Sequence, residues 1–496
     1  MPPQLTRRTF LKTSAAVSAA AILRGASRYD PSWDSLAQHA DPTWFNDAKF
    51  GIYFHWGIYS VPAFDNEWYS RNMYIEGQRA NTFHKLVYGP PAKFGYKDFI
   101  PMFQAEKFNP EEWAELFRQA GAKYAGPVSE HADGFSLWDS KVNPFNAARM
   151  GPRRDVVGEM ARALRGEGIK FLATFHHQWL WGWYPTEDKT LDCSQSRYSD
   201  LYGPSAPQSP FDYNKPTPPP PQQFQDNWEA KVKEVIDRYQ PDLVYFDSRL
   251  NIIDERHQSD CLAYYYSQAE RWQKEVGVTY KQKDLPAGVG ILDLEQGRMN
   301  KIWARMWQTD QTIDWHSWCY VQKPDLKSAD RLVDGLVDIV SKNGTLLLDV
   351  NPTAQGVMPE PTVERLRAIG KWLSVNGEAI YGTRPWKIFG EGPTQVVQGE
   401  FGEEKIPEFT AEDIRFTGRW KTLYAIVLDW PKETRQLVVK SLSTQDALLA
   451  KGEIAKVSLL GSDAELRWQH DSTGLKIQLP PQRPGDFAYV FKLLLN

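Results

Sequence analysis

An α/β fold, a (β/α)8-like (TIM-type) barrel followed by a C-terminal β-sandwich domain, is what three features of the sequence predict. Short apolar runs alternate with amphipathic helical stretches over most of the chain, and polar residues gather just after those runs. Past about residue 390 the helical pattern gives way to alternating runs broken by Gly, Pro, Asp and Ser. Repeated strand–helix units argue for a parallel sheet with helices outside it, and about eight strands argue for closure. With 496 residues, 42% hydrophobic and 24% charged, the chain can bury a large core and is too long for one ordinary domain. The expected division is a leader over 1–28, the barrel over 29–390 and the sandwich over 391–496.

The leader is an address rather than part of the fold. Residues 6–12 read Thr-Arg-Arg-Thr-Phe-Leu-Lys, the paired arginines of a twin-arginine signal, and 13–23 is an Ala-rich stretch too short to cross a bilayer. Export to the periplasm or beyond follows. Cys193, Cys261 and Cys319 are odd in number and far apart, so they imply neither a disulfide framework nor a structural zinc cluster. A net charge of −4 gives no basic field for nucleic acid, and no segment has the length and apolarity of a membrane span. No nucleic-acid or membrane partner is expected, and the oligomeric state is left open.

The first strand is expected at 50–55, inside the run FGIYFHWGIY, whose aromatic and β-branched content suits a strand buried on both faces. NEWYS follows at 66–70, so His55, Glu67 and Trp68 fall close together after one strand. Rings beside an imidazole and a carboxylate are what a sugar needs, apolar faces for its C–H surface and charged partners for its hydroxyls. Taken alone, the stretch fits equally a buried strand capped by a structural His. Further strands are expected at 123–129, 170–176, 242–247, 276–280, 288–292, 302–307 and 345–351. Helical patterns lie at 110–120, 155–167, 227–239, 260–274 and 329–341, while the arc from the fifth to the seventh strand is weakly separated by helices. The proline-rich stretch 203–221 reads as a surface loop. A last helix carries Val363, Leu366, Ile369, Trp372 and Leu373 on one face and stops at Asn376-Gly377. Sandwich strands are expected at 422–428, 436–439, 465–468, 475–479 and 487–493.

Polar residues then sort by strand end. His131 and Asp133 follow the second strand, His176 and His177 end the third, Asp247 ends the fourth, and Glu295 lies just past the sixth. Convergence at the carboxyl ends of different strands is how such barrels build active sites. Trp179, Trp181, Trp183, Trp307, Trp315 and Trp318, in short loops near strand ends, suggest a wall for a flat, partly apolar ligand.

With these motifs in hand, the chain resembles the retaining α-L-fucosidases of glycoside hydrolase family 29 from about Trp44 to Trp386. The resemblance rests on WFNDAKFGIYFHWG, NEWYS, SEHADGF, VYFD at 244–247, WQTDQTIDWHSWCY at 307–320, and LLLDVNPTAQGVMPE followed by GKWLSVNGEAIYGTRPW. It implies that Asp247 is the nucleophile and that His55, Glu67, Trp68 and His131 hold sugar hydroxyls. His176 would stand against the sugar, with His177 and Tyr245 as further substrate-binding candidates. The chain departs from the family's frequent pattern at Ala132, Tyr245 and Ser248, which stand where a His, a Trp and a Gly are common. The general acid/base is expected at Glu295, with Asp293 as its rival. Alternation puts both on one face, so spacing alone does not separate them. Gln308, where some relatives carry Glu, cannot donate a proton. The implied reaction is hydrolysis of fucosylated oligosaccharide or polysaccharide in two steps with retention, needing no metal or organic cofactor. An exo-glycosidase for a galactose-type sugar and a non-catalytic carbohydrate-binding protein are the alternatives.

Overall fold

The computed structural model describes residues 28–496 except 208, 213, 214, 433 and 447; the expected leader lies outside the described residues but for Arg28. Eight parallel strands close into a barrel: β1 (Phe50–Phe54), β2 (Tyr124–Glu130), β3 (Lys170–Phe175), β4 (Leu243–Phe246), β5 (Gly277–Lys281), β6 (Ile291–Asp293), β7 (Trp307–Thr312) and β8 (Gly344–Val350). β1 pairs with both β2 and β8, which closes the ring. All five residues of β1 are buried, and each large apolar side chain so sequestered contributes about 1.5–3 kcal/mol. Gly51 is there for space: a Cβ would lie 2.4 Å from the ring of Tyr124.

Six principal helices are α1 (Pro110–Ala120), α2 (Val156–Gly166), α3 (Gln222–Tyr239), α4 (Glu255–Trp272), α5 (Ala329–Ser341) and α6 (Glu360–Asn376). α1 shows why its sequence starts and stops where it does. Asn109 accepts from the Glu112 amide, Pro110 occupies the first turn, and Gly121 closes the end at φ 93°. Among the described residues no helix separates β5, β6 and β7, as their weak periodicity implied. β6 and β7 share a single register pair, Asp293 with Gln308.

The seventh strand is the main departure from expectation. It was read at 302–307 but runs Trp307–Thr312, in the polar sequence WQTDQT, every residue of which is buried. Its polar side chains are held by hydrogen bonds inside the barrel, while Trp307 packs in the apolar core. Tyr124 Oη donates to Gln308 Oε1 at 2.9 Å and Tyr53 Oη to Asp310 Oδ2 at 2.9 Å.

The C-terminal region holds β9 (Arg384–Glu391), β10 (Ile414–Arg419), β11 (Thr422–Val427), β12 (Gln436–Val439), β13 (Ile454–Leu459), β14 (Trp468–Asp471), β15 (Gly474–Gln478) and β16 (Tyr489–Leu495). A five-stranded sheet, β13-β16-β11-β10-β9, faces a three-stranded sheet, β12-β15-β14. Their shared core includes Phe416, Leu423, Phe491, Leu475 and Ile477. The strand read at 465–468 begins only at Trp468, and β9, in which residue 390 falls, already belongs to the five-stranded sheet. The connection from β9 to β10 runs back onto the barrel, where Gly399 and Arg298 exchange backbone hydrogen bonds.

Candidate active site

A cavity of about 450 Å³ opens at the carboxyl ends of the barrel strands. It is lined by His55, Glu67, Trp68, His131, His176, Asp247 and Glu295, so seven of the residues expected from the sequence meet there. Each arrives because its strand stops and the chain turns at the barrel mouth.

Three imidazoles form one wall. Ring centroids of His55, His131 and His176 lie 4.9–5.4 Å apart. His55 is oriented by Asp349 on β8, whose Oδ1 lies 2.8 Å from His55 Nδ1 and also accepts from the His55 amide. Burial holds His55 and His176 well below the usual histidine range and brings His131 down to about 4, with Asp247 opposing in the last case. Neutral rings of this kind offer one donor and one acceptor each, which suits hydroxyls. Ring nitrogens of the three lie within 4.8 Å of one another, so among the described residues this is the group that could hold a metal ion. Glu67 completes the wall. Burial pushes its carboxyl up to about 7, and it accepts from the Trp318 amide at 3.2 Å. Trp68 packs on Trp183 at 4.7 Å and on Trp179 at 5.6 Å, giving an apolar side.

The opposite wall is built around one ammonium. Lys281, the last residue of β5, lies 3.0 Å from Asp247 Oδ1, 2.7 Å from Glu295 Oε2 and 3.1 Å from Asp310 Oδ2. Burial opposes its charge, but these carboxylates outweigh burial and hold the ammonium well above its usual range. Glu295 is pushed up to about 8 by burial, against the pull of Lys281 and with the push of Asp310 and Asp247. The Asp247 backbone is fixed from both sides. Its amide donates to Phe175 O, and Gln178 Nε2 donates to the carbonyls of Asp247 and Ser248.

Three sequence candidates lie elsewhere. His177, next to His176, points away from the cavity; its ring stacks on Trp228 and Nε2 is 3.3 Å from the Trp228 carbonyl. Adjacent residues at a strand end face opposite sides, so one of the two histidines had to leave the site. Tyr245 is sealed inside the barrel and donates to Asp310 Oδ2 at 3.0 Å. Asp293 is also sealed beneath the cavity, where its carboxylate accepts from Gln308 Nε2 at 2.7 Å; burial and Asp310 hold it well above the usual range. Of the tryptophans, Trp179, Trp183 and Trp318 line the cavity. Trp181 and Trp307 donate to Pro218 and Lys342 carbonyls, and Trp315 lies against Lys327 and Arg331.

Lys281, Asp310, Tyr53 and Phe401 were not found from sequence. Lys281 sits one residue past the expected strand, and the strand-end rule would reach it with that strand drawn to its true end. Asp310 was hidden by the misplaced seventh strand. Phe401 comes from beyond the barrel in sequence, where no local signal points to the site.

Comparisons with known proteins point to one family. Residues 16–378 match the family model described as Alpha-L-fucosidase, and 407–494 match the Alpha-L-fucosidase C-terminal domain. Residues 4–23 match the twin-arginine translocation signal sequence, which supports export to the periplasm or beyond. No helix of the described residues is long and apolar enough to cross a membrane. The chain is similar to tissue alpha-L-fucosidase of Bos taurus, 30% identical over 94% of this chain and 91% of that one. It is 32% identical to alpha-L-fucosidase of Branchiostoma floridae, over 94% of this chain and 96% of that one. Among solved structures, Thermotoga maritima alpha-fucosidase in complex with fucose superposes with a TM-score of 0.74 at 29% identity, covering 94% of this chain and all of that one.

Proposed function

The chain belongs to the α-L-fucosidases of glycoside hydrolase family 29, and on that footing we propose that it is an exo-acting retaining enzyme that hydrolyses terminal α-L-fucosyl linkages of glycans through a covalent fucosyl-enzyme. The observation that carries the reading is the sharing of Lys281 Nζ by Asp247 and Glu295. The two contacts hold Asp247 Oδ1 and Glu295 Oε2 within two hydrogen-bond lengths of each other. That closeness favours the roughly 5–5.5 Å of retaining enzymes over the roughly 6.5–9.5 Å that leaves room for water in inverting ones.

In the first step an Asp247 oxygen attacks the anomeric carbon while protonated Glu295 gives its proton to the departing oxygen. A carboxyl raised to about 8 still carries that proton at neutral pH, as a general acid must. In the second step the Glu295 carboxylate takes a proton from water, which attacks the same carbon and frees Asp247. Lys281 favours the anionic form of Glu295 and so stabilises it once its proton has gone. His55, Glu67, His131 and His176 hold the hydroxyls, and Trp68, with Trp179 and Trp183 packed against it, receives the apolar face of the sugar. Asp293 fits the acid role less well than Glu295 because Gln308 and Tyr245 occupy it below the cavity.

Acid/base removal mainly slows substrates with poor leaving groups, and small anions then replace the activated water. Glu295→Ala should lose most activity on a fucosyl disaccharide, less on an activated aryl fucoside, and yield a fucosyl azide of retained configuration when azide is added. Asp293→Ala should show neither the leaving-group dependence nor the azide product. Exchange of these behaviours moves the acid to Asp293. An inverted azide product would reject double displacement, and preference for an aryl galactoside would reassign the sugar.

A further inference from the structure

Phe401 projects into the cavity mouth although it lies in the C-terminal region, and it is 58% exposed with φ 53°. A bulky residue in the left-handed region is strained, and an exposed ring there gains nothing from core packing. The chain nevertheless fixes it firmly. Its amide donates to Glu295 O at 2.8 Å, the next two amides donate to Gln296 O, and Gly399 exchanges two hydrogen bonds with Arg298. Gly297 allows this approach, since a Cβ there would lie 2.4 Å from Gly399 O. Two residues on, the Glu403 carboxylate is held by Arg298 at 2.7 Å and Arg331 at 3.1 Å. The ring is thus locked to the very backbone that carries Glu295. Gln282, directly after Lys281, also lines the mouth, and it favours the charged form of Glu400 in the same connection.

A proton donor stands beside the oxygen that leaves, so groups anchored to the Glu295 segment border the departing unit and not the fucose. We propose that Phe401 and Gln282 form a subsite for the sugar that bears the fucose, a pyranose whose C–H face stacks on Phe401 and whose hydroxyl meets the Gln282 amide. The proposal rests on the reading of Asp247 and Glu295 above. It makes the region beyond the barrel a participant in choosing the leaving group.

The test compares kcat/KM on an α-L-fucosyl disaccharide with kcat/KM on α-L-fucosyl fluoride, whose leaving group is too small to reach the subsite. The ratio of the two cancels damage common to both substrates; displacement of Glu295 as acid would also lower it, but through kcat, whereas loss of the subsite acts through KM. Phe401→Ala should lower the disaccharide-to-fluoride ratio about tenfold, mostly through KM, and Phe401→Tyr should keep the wild-type ratio. Gln282→Ala should lower it severalfold. An unchanged ratio in Phe401→Ala overturns the subsite while leaving the hydrolytic reading intact. If the wild type releases fucose from neither substrate, the reading of the site falls and the subsite falls with it.

Discussion

Two buried clusters of charge sit on either side of one short connection, and they are opposites in composition. At the barrel mouth a single ammonium, Lys281, faces Asp247, Glu295 and Asp310, with Asp293 close beneath. At the junction with the sandwich, Arg298 and Arg331 hold Glu403, while Lys342 and Arg415 hold Asp338. Carboxylates outnumber cations at the mouth, and cations outnumber carboxylates at the junction. In each cluster the surplus sign is driven toward neutrality. Glu295 rises to about 8 at the mouth, whereas at the junction burial brings Lys342 down to about 8, with Asp338 opposing. Asp338 itself falls to about 2, because Lys342, Arg415 and Arg298 outweigh its burial. A low-dielectric site does not tolerate unpaired charge, so the proton inventory follows the ratio of signs. A neutral surplus carboxyl can serve as an acid; a fully paired carboxylate can only hold two parts of the chain together.

The sharpest break of this contrast is Asp247→Gly. It removes the attacking oxygen and should cut turnover of an aryl α-L-fucoside by roughly 10⁴-fold or more with the fold retained, as judged by circular dichroism and thermal unfolding. A folded variant with near-wild-type activity would move the nucleophile elsewhere.

Lys281→Met takes away the ammonium that the three mouth carboxylates share, and a loss of roughly 10²–10³ in kcat/KM is expected. Lys281 lowers the pKa of Glu295, so its removal should also shift the basic limb of the pH–rate profile upward. A downward shift would contradict the electrostatic assignment.

At the junction, Asp338→Asn leaves Lys342 and Arg415 facing an uncharged amide, and about 3–5 kcal/mol of stability should be lost in urea unfolding at neutral pH. A carboxyl depressed from 3.8 to about 2 contributes stability that is present above pH 3.8 and lost as pH falls through about 2. The gap between wild type and variant should therefore narrow over that window. A constant gap would mean that charge is not what Asp338 supplies.

The smallest effect is in the wild type itself. Protonated Glu295 declines as pH rises through about 8, so kcat/KM on a fucosyl disaccharide should fall about tenfold per unit above that value. Glu295→Gln should lack this limb on an activated aryl fucoside. Its persistence there would assign the titration to another group.

Much of the barrel was legible because strands buried on both faces must be apolar. FGIYF, KFLATF, LVYF and GTLLLDV declare themselves by composition, and the polar residues that follow them are set at the mouth by chain continuity alone. WQTDQT was illegible by the same rule, since Gln308 and Asp310 within it accept from Tyr124 and Tyr53, which are remote in sequence. His176 and His177 are equivalent as letters, and only the direction of each side chain at the end of β3 separates them.

The sequence by itself determined the strand–helix alternation, the leader and the placement of His55, Glu67, His131, His176, Asp247 and Glu295 at strand ends, because those follow from local periodicity and from where each strand stops. The tertiary structure alone decided that Asp247, Glu295 and Asp310 share Lys281, that Asp293 lies sealed beneath them, and that Phe401 returns to the mouth. Proton positions depend on distances among groups from four strands and a connection outside the barrel, and no local pattern in the chain encodes those distances.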